Sequence, residues 1–222
     1  MKRCFIFAAG TFYGLREAPR AGDVTIAADA GLHNCRSAGI EPELVIGDFD
    51  SMAQPPRGGC VVAPVEKDDT DTMLAVREGL ARGCGEFYIY GGTGGVRLDH
   101  TLANLQTLAF LRRHGARGYL YDRDFVYTVL ENETLTLRRQ VEWGLVSLFA
   151  MSGTQQDVTL EGLQYPLAHA DVAGDFPSGV SNHFIADTAR ITCGSGLLLG
   201  GWQLPPLTDT PADRSQAAPP AR

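Results

Sequence analysis

The chain has 222 residues, 44% of them apolar and 20% charged, with a formal net charge of −7; that length supports a self-sufficient core in one large or two small domains. An acidic balance with no Lys/Arg stripe argues against a nucleic-acid partner, and no apolar run approaches the roughly 18 residues of a membrane span. Five cysteines, Cys4, Cys35, Cys60, Cys84 and Cys193, form no C-x-x-C pair, which argues against a disulfide framework or a zinc site and predicts reduced thiols in a cytoplasmic protein.

The opening segment Met1–Gly10 faintly imitates an export signal. Its apolar stretch is short and runs into turn-forming and charged residues, so it reads as a first buried strand, Cys4–Ala9. Further short strands are predicted at Val24–Ala28, Glu43–Ile46, Cys60–Ala63, Phe87–Tyr90 and Gly118–Tyr121, each β-branched or aromatic and bounded by Gly, Pro or Asp. A helix is predicted over Thr70–Arg82, where Met73, Val76 and Leu80 recur at helical spacing. A second runs over Leu98–His114, with Leu98, Leu102, Leu105 and Leu108 on one face and Gly115 as its stop. Strands alternating with helices imply an α/β layer with a mainly parallel sheet over residues 1–128.

The pattern changes between Asp122 and Glu133. Only short runs follow: Phe125–Leu130, Thr134–Arg138, Leu145–Ala150, Val158–Leu160, Ala189–Thr192 and Leu197–Gly201. Near-regular short strands predict a small all-β sandwich domain over 129–203. The tail, 204–222, carries five of the twelve prolines and few large apolar residues; it is predicted to be disordered.

Four segments carry candidate chemistry. Gly47-Asp48-Phe49-Asp50-Ser51 follows an apolar strand, and ligands of open α/β sheets bind beyond the carboxyl ends of strands. If the strand continues, Asp48 and Asp50 share one face; two adjacent carboxylates repel unless a cation sits between them, and Mg2+ accepts such oxygens. Lys67-Asp68-Asp69-Thr70-Asp71 opens the helix: Thr70 is a natural N-cap and Asp71 suits the positive helix end, yet three acids beside a lysine exceed what capping requires. There Asp71 could complete a metal site and Lys67 neutralise phosphate charge. Gly91-Gly92-Thr93-Gly94-Gly95 lets backbone N–H groups approach a phosphate, and Arg97 could fork onto its oxygens. Asp99 either caps the helix or accepts from a ligand amino group. The loop fits neither a Walker A motif nor the G-x-G-x-x-G fingerprint. Ser181 and Asn182, in Gly179-Val180-Ser181-Asn182-His183, read as a hairpin turn or as polar contacts to a small heterocycle. Asp29 is a further acid at a strand end.

In this order, Ala28-Asp29-Ala30-Gly31, Ile46-Gly47-Asp48-Phe49-Asp50-Ser51, Lys67-Asp68-Asp69-Thr70-Asp71, Gly94-Gly95 with Arg97-Leu98-Asp99-His100 and Asn104, and Gly179-Val180-Ser181-Asn182 resemble the thiamine pyrophosphokinase family, over roughly residues 3–202. The resemblance implies an enzyme with an α/β domain for ATP and Mg2+ and a small β-sandwich, working as a homodimer with active sites at the interface. It assigns Asp48, Asp50 and Asp71 to metal binding and catalysis. Asp29, Lys67, Thr70 and Arg97 fall on the ATP side; Asp99, Ser181 and Asn182 fall on the thiamine side. Val96 departs from the pattern by standing between the paired glycines and Arg97, and Ala30 stands where Gly or Ser is common.

The expected reaction is transfer of the pyrophosphoryl group of ATP to the thiamine hydroxyl, releasing AMP. Two rival readings accompany it. A phosphatase would use an aspartyl nucleophile in Asp48-Phe49-Asp50, although Ser51 stands where such enzymes commonly place Gly-Thr. A non-catalytic module would only bind nucleotide and thiamine.

Overall fold

The computed structural model describes residues 1–47, the backbone of 60–62, and residues 69–207. In chain order the elements are β1 (Lys2–Phe7), β2 (Val24–Ala28), α1 (Gly31–Ser37), β3 (Leu44–Gly47), β4 (Cys60–Val62), α2 (Asp71–Ala81), β5 (Cys84–Tyr90), α3 (Leu98–Arg113), β6 (Arg117–Tyr121), β7 (Phe125–Leu130), β8 (Glu133–Arg138), β9 (Leu145–Ala150), β10 (Gln155–Glu161), β11 (Leu167–Val172), β12 (Asn182–His183), β13 (Thr188–Ser195) and β14 (Leu198–Gln203). The α/β class with an antiparallel sandwich is as expected.

Two sheets organise these elements. The larger has ten strands in the order β12-β9-β14-β7-β6-β5-β1-β2-β3-β4; the smaller has four, β11-β10-β13-β8. β4, β3, β2, β1, β5 and β6 are mutually parallel. β2 and β3 are buried on both faces, which is why β2 (Val-Thr-Ile-Ala-Ala) reads as an unbroken buried run. From β7 onward pairing is antiparallel, and β10 and β13 show the part-alternating burial of strands with one solvated face.

Three apolar layers hold this together. On one face of the parallel sheet, Ile6, Ile26, Phe87 and Ile89 meet Ala75 and Val76 of α2 and Leu108 and Leu111 of α3. On the other face, Phe5, Phe7, Val45, Tyr88 and Tyr90 meet Leu32 and Cys35 of α1. The rings there stack, Phe5 on Tyr88 at 4.7 Å and Tyr90 on Tyr121 at 4.9 Å. The third layer lies between the sheets: Leu130, Val146, Leu148 and Leu198 face Leu137, Val158, Leu160 and Ile191. One layer of the sandwich is therefore a hydrogen-bonded continuation of the parallel sheet. Each fully buried Leu, Ile or Phe contributes about 1.5–3 kcal/mol.

Several elements differ from the sequence reading. β1 ends at Phe7, and β5 starts at Cys84 instead of Phe87. α1, β11 and the two-residue β12 were not anticipated. Cys4, Cys35, Cys84 and Cys193 are buried free thiols. No described helix is long and apolar enough to cross a membrane.

Candidate active site

All six parallel strands end on one edge, so the loops after β1, β2 and β5 gather there. They border a cavity of about 400 Å³. Ala8–Gly10, Ala28 and Asp29 form part of its wall, Thr70–Thr72 another, and Gly91–Thr93 with Gly95–Arg97, His100, Thr101 and Asn104 the rest.

The glycine-rich loop between β5 and α3 is tied back to the protein through its carbonyls. Gly91 O accepts from the Gly10 N–H at 2.7 Å, and Thr93 O from the Thr11 N–H at 2.9 Å. Gly92 O accepts from Asn104 Nδ2 at 2.8 Å, and Gly94 O from the Thr11 hydroxyl at 2.7 Å. In a trans peptide the N–H points opposite to the C=O. With the carbonyls of 91–94 held, the N–H groups of 92–95 point away from those donors and are oriented before any ligand arrives. Gly91, at φ 66°, permits this packing: a Cβ there would sit 2.3 Å from Ala8 O. Thr93, nearly buried, donates its hydroxyl to Asp122 Oδ1 at 2.7 Å, fixing the loop to the end of β6.

Asp29 directly follows β2, beside the end of its parallel neighbour β3. Its N–H donates to Ile46 O at 2.7 Å, its own carbonyl accepts from Leu32 N–H, and its φ is 48°. Asp tolerates this left-handed conformation better than most residues, but at a cost that suits a position held for its side chain. A Cβ on Gly47 would approach Asp29 Cα to 3.1 Å, so the end of β3 abuts the same point. Asp48 and Asp50, which follow, and Lys67 lie outside the described residues.

Thr70 and Asp71 start α2 as their sequence suggests. The Thr70 hydroxyl accepts from Met73 N–H at 3.2 Å, and Asp71 occupies the first turn. Asp69 is used locally, pairing with Arg77 at 2.8 Å. Among the described residues no three His, Cys, Asp or Glu side chains converge on one metal point. Asp29 and Asp71 still bring two carboxylates to the cavity wall beside Thr70 and Thr101. Such a hard-oxygen set fits Mg2+ chemistry.

Arg97 lines the cavity in spite of the intervening Val96, which is fully exposed. Asp99 does not cap α3; it forms a two-pronged pair with Arg97, holding its own carboxyl below the usual range and raising the guanidinium.

Ser181 and Asn182 stand elsewhere. β12 is five inter-strand steps from β5 in the sheet order, roughly 24 Å at about 4.8 Å per step. Asn182 is buried; its amide donates to Tyr165 O at 2.8 Å and its oxygen accepts from Tyr165 N–H at 3.0 Å. Ser181 is exposed, with φ 61° and its N–H on Ser147 Oγ. Neither residue lines the cavity of its own chain.

Sequence reasoning singled out neither Thr11 nor Asn34, which shape the glycine loop from outside any motif. His100 and Asn104, which belong to the family resemblance, both line the cavity.

Two family models match the chain: "Thiamin pyrophosphokinase, catalytic domain" over residues 16–120 and "Thiamin pyrophosphokinase, vitamin B1 binding domain" over 132–198. The thiamine pyrophosphokinase of Bacillus subtilis (strain 168) is 27% identical over 181 residues, covering 78% of this chain and 84% of that protein. Among solved structures, the B. subtilis thiamine pyrophosphokinase superposes with a TM-score of 0.82 at 24% identity, over 92% of this chain and 100% of that one. The Geobacillus thermodenitrificans thiamin pyrophosphokinase gives 0.77 at 26% identity, over 94% and 99%. The yeast enzyme gives 0.70 at 12% identity, over 91% and 86%, a likeness of fold.

Proposed function

The chain belongs to the thiamin pyrophosphokinase family, and from that premise we propose that it transfers the β,γ-pyrophosphoryl group of ATP to the thiamine hydroxyl, giving thiamine diphosphate and AMP. The observation that carries this reading is the glycine loop: its carbonyls 91–94 are anchored and its amides are left oriented at the cavity that Asp29, Asp71 and Arg97 also line. Oriented backbone donors and fixed cations lower a polyphosphate transfer barrier without reorganisation.

In this reading the thiamine oxygen attacks the β-phosphorus in line, a new O–P bond forms, and the bond to the α-phosphate oxygen breaks to release AMP. The hydroxyl proton passes to a carboxylate of the Asp48, Asp50 and Asp71 set. Arg97 and Lys67 supply positive charge to the phosphates; Thr70 and Asp29 border the nucleotide. Asp48, Asp50 and Asp71 would hold Mg2+, which when bound disperses charge on the polyphosphate. Asp99 lies on the thiamine side.

Ser181 and Asn182 are assigned to thiamine as well. Their separation from the cavity of their own chain supports a homodimer in which each loop serves its neighbour's cavity. Incubating the protein with Mg2+, ATP and thiamine tests the reading: AMP and thiamine diphosphate should appear together and in equal amounts. AMP formed without thiamine, or no AMP at all, would overturn it.

A further inference from the structure

Asn34 lies on α1, outside every motif, and its side chain is buried. Its Nδ2 donates to Ala8 O at 2.7 Å and to Gly10 O at 2.8 Å. An amide nitrogen has two hydrogens, so both are engaged. The two carbonyls belong to the turn after β1, and that turn holds the glycine loop: Gly10 N–H bonds Gly91 O, Thr11 N–H bonds Thr93 O, and the Thr11 hydroxyl bonds Gly94 O. The packing leaves little slack. A Cβ on Gly10 would meet Gly91 O and Thr93 O at 2.5 Å each, and a Cβ on Gly91 would meet Asn34 Nδ2 at 2.8 Å. Asn104 holds Gly92 O from α3. The two loops are thus zipped together between buried amides from two helices.

We propose that Asn34 is a positioning residue: through the Ala8 and Gly10 carbonyls it sets the turn that orients the phosphate-facing amides of Gly92–Gly95. The inference rests on the pyrophosphoryl-transfer reading for what those amides bind, but not for the coupling itself. Asn34 touches no substrate; it acts through Gly10 and Thr11.

The test uses two variants of the full chain. Asn34→Asp keeps the shape and replaces the donor amide with an acceptor facing two carbonyls. Thr11→Val, at an exposed site, removes one link of the same zipper and leaves the core alone. Hydrogen exchange of the Gly10 and Thr11 amides, which donate to Gly91 O and Thr93 O, is measured on each folded, ligand-free protein, and KM for ATP and for thiamine on each enzyme. Exchange should quicken by about tenfold, the equivalent of one lost buried hydrogen bond, with a similar rise in KM for ATP and KM for thiamine within about twofold. In Asn34→Asp the ATP defect should ease as pH falls and the carboxyl regains a proton to donate. If Asn34→Asp fails to fold, Thr11→Val decides, with the same selective change in smaller measure. Unchanged exchange in the folded variants overturns the proposal, as does an equal rise in both KM values. A wild-type protein that makes no AMP would instead remove the transfer reading, and the exchange arm would still decide the role of Asn34.

Discussion

Arg97 and Asp99 grip each other across one intervening residue, with Nε to Oδ1 at 3.2 Å and Nη2 to Oδ2 at 2.5 Å. The family resemblance sends these residues to different ligands, yet each here restrains the other. Both are well exposed, so the pair contributes little to stability and its consequence is orientation. Arg97→Ala should raise KM for ATP by about tenfold or more while the melting temperature stays unchanged. Asp99→Asn should loosen the guanidinium and so disturb ATP use as well as thiamine use. Steady-state kinetics with each substrate varied decides; an Asp99→Asn defect confined to thiamine would show that the pair has no part in phosphate recognition.

Asp71 and Thr70 separate chemistry from capping at adjacent positions. Thr70→Ala removes the hydroxyl that accepts from Met73 N–H, and unfolding stability should fall by about 1 kcal/mol. Asp71→Asn keeps a polar group in the first turn and should leave stability within about 0.5 kcal/mol while turnover drops about a thousandfold. Near-normal turnover in folded Asp71→Asn protein would take that carboxylate out of the mechanism.

What the sequence revealed and concealed follows from how far each signal reaches. The buried parallel strands and the two longer helices are legible because burial imposes a period on many consecutive residues. α1 was hidden because its seven residues bury Gly31, Leu32, Asn34 and Cys35, a face with a single large aliphatic. Gly31 is there for clearance, since a Cβ would lie 1.9 Å from Phe7 O. β11 was hidden because it is a mostly solvated edge strand, interrupted in register against β10. At the site, Thr70, Asp71 and the glycine loop announced themselves through local chemistry. The role of Asn34 is set by contacts 24 and 26 residues distant, and no local pattern encodes such a pairing.

Gly91→Ala tests the glycine loop directly. The added Cβ would strike the Ala8 carbonyl at 2.3 Å from a left-handed backbone, and neither the strand-end turn nor the loop can yield without giving up the anchored carbonyls. Stability should fall by about 2–4 kcal/mol, and ATP-dependent turnover should be lost in whatever fraction folds. Denaturant unfolding measures the first effect. A variant as stable as the wild type would show that the loop has slack.

Arg3 and Asp23 provide a contrast remote from the cavity wall. Their side chains are largely buried, Arg3 Nε lies 3.1 Å from Asp23 Oδ1, and Nη2 bonds Oδ2. The guanidinium, joined by the Arg20 N–H, depresses the Asp23 carboxyl against the opposing effect of burial. A carboxyl depressed on folding stabilises the native state above its unfolded value, near 3.9, and that contribution disappears as pH falls through the lower folded value. Asp23→Asn should therefore cost about 2 kcal/mol at pH 7, with the gap to wild type closing in acid below about pH 4, and kcat unchanged. A gap constant down to pH 2 would deny the pair its pH dependence.

The separation of Ser181 from the cavity of its own chain yields the sharpest test of shared sites. Consider Asp71→Asn and Ser181→Arg, each expected to be inactive alone. If each cavity is completed by the loop of a second copy, a hybrid dimer contains one site with both lesions and one with neither. Random exchange makes half the dimers hybrid, so an equimolar mixture should recover about a quarter of wild-type activity. If each site is completed within one chain, every site in the mixture carries a lesion and activity stays absent. Exchange must be verified, by native mass spectrometry for instance, because recovered activity in verified hybrids supports interface sites and persistent inactivity in them ends that reading.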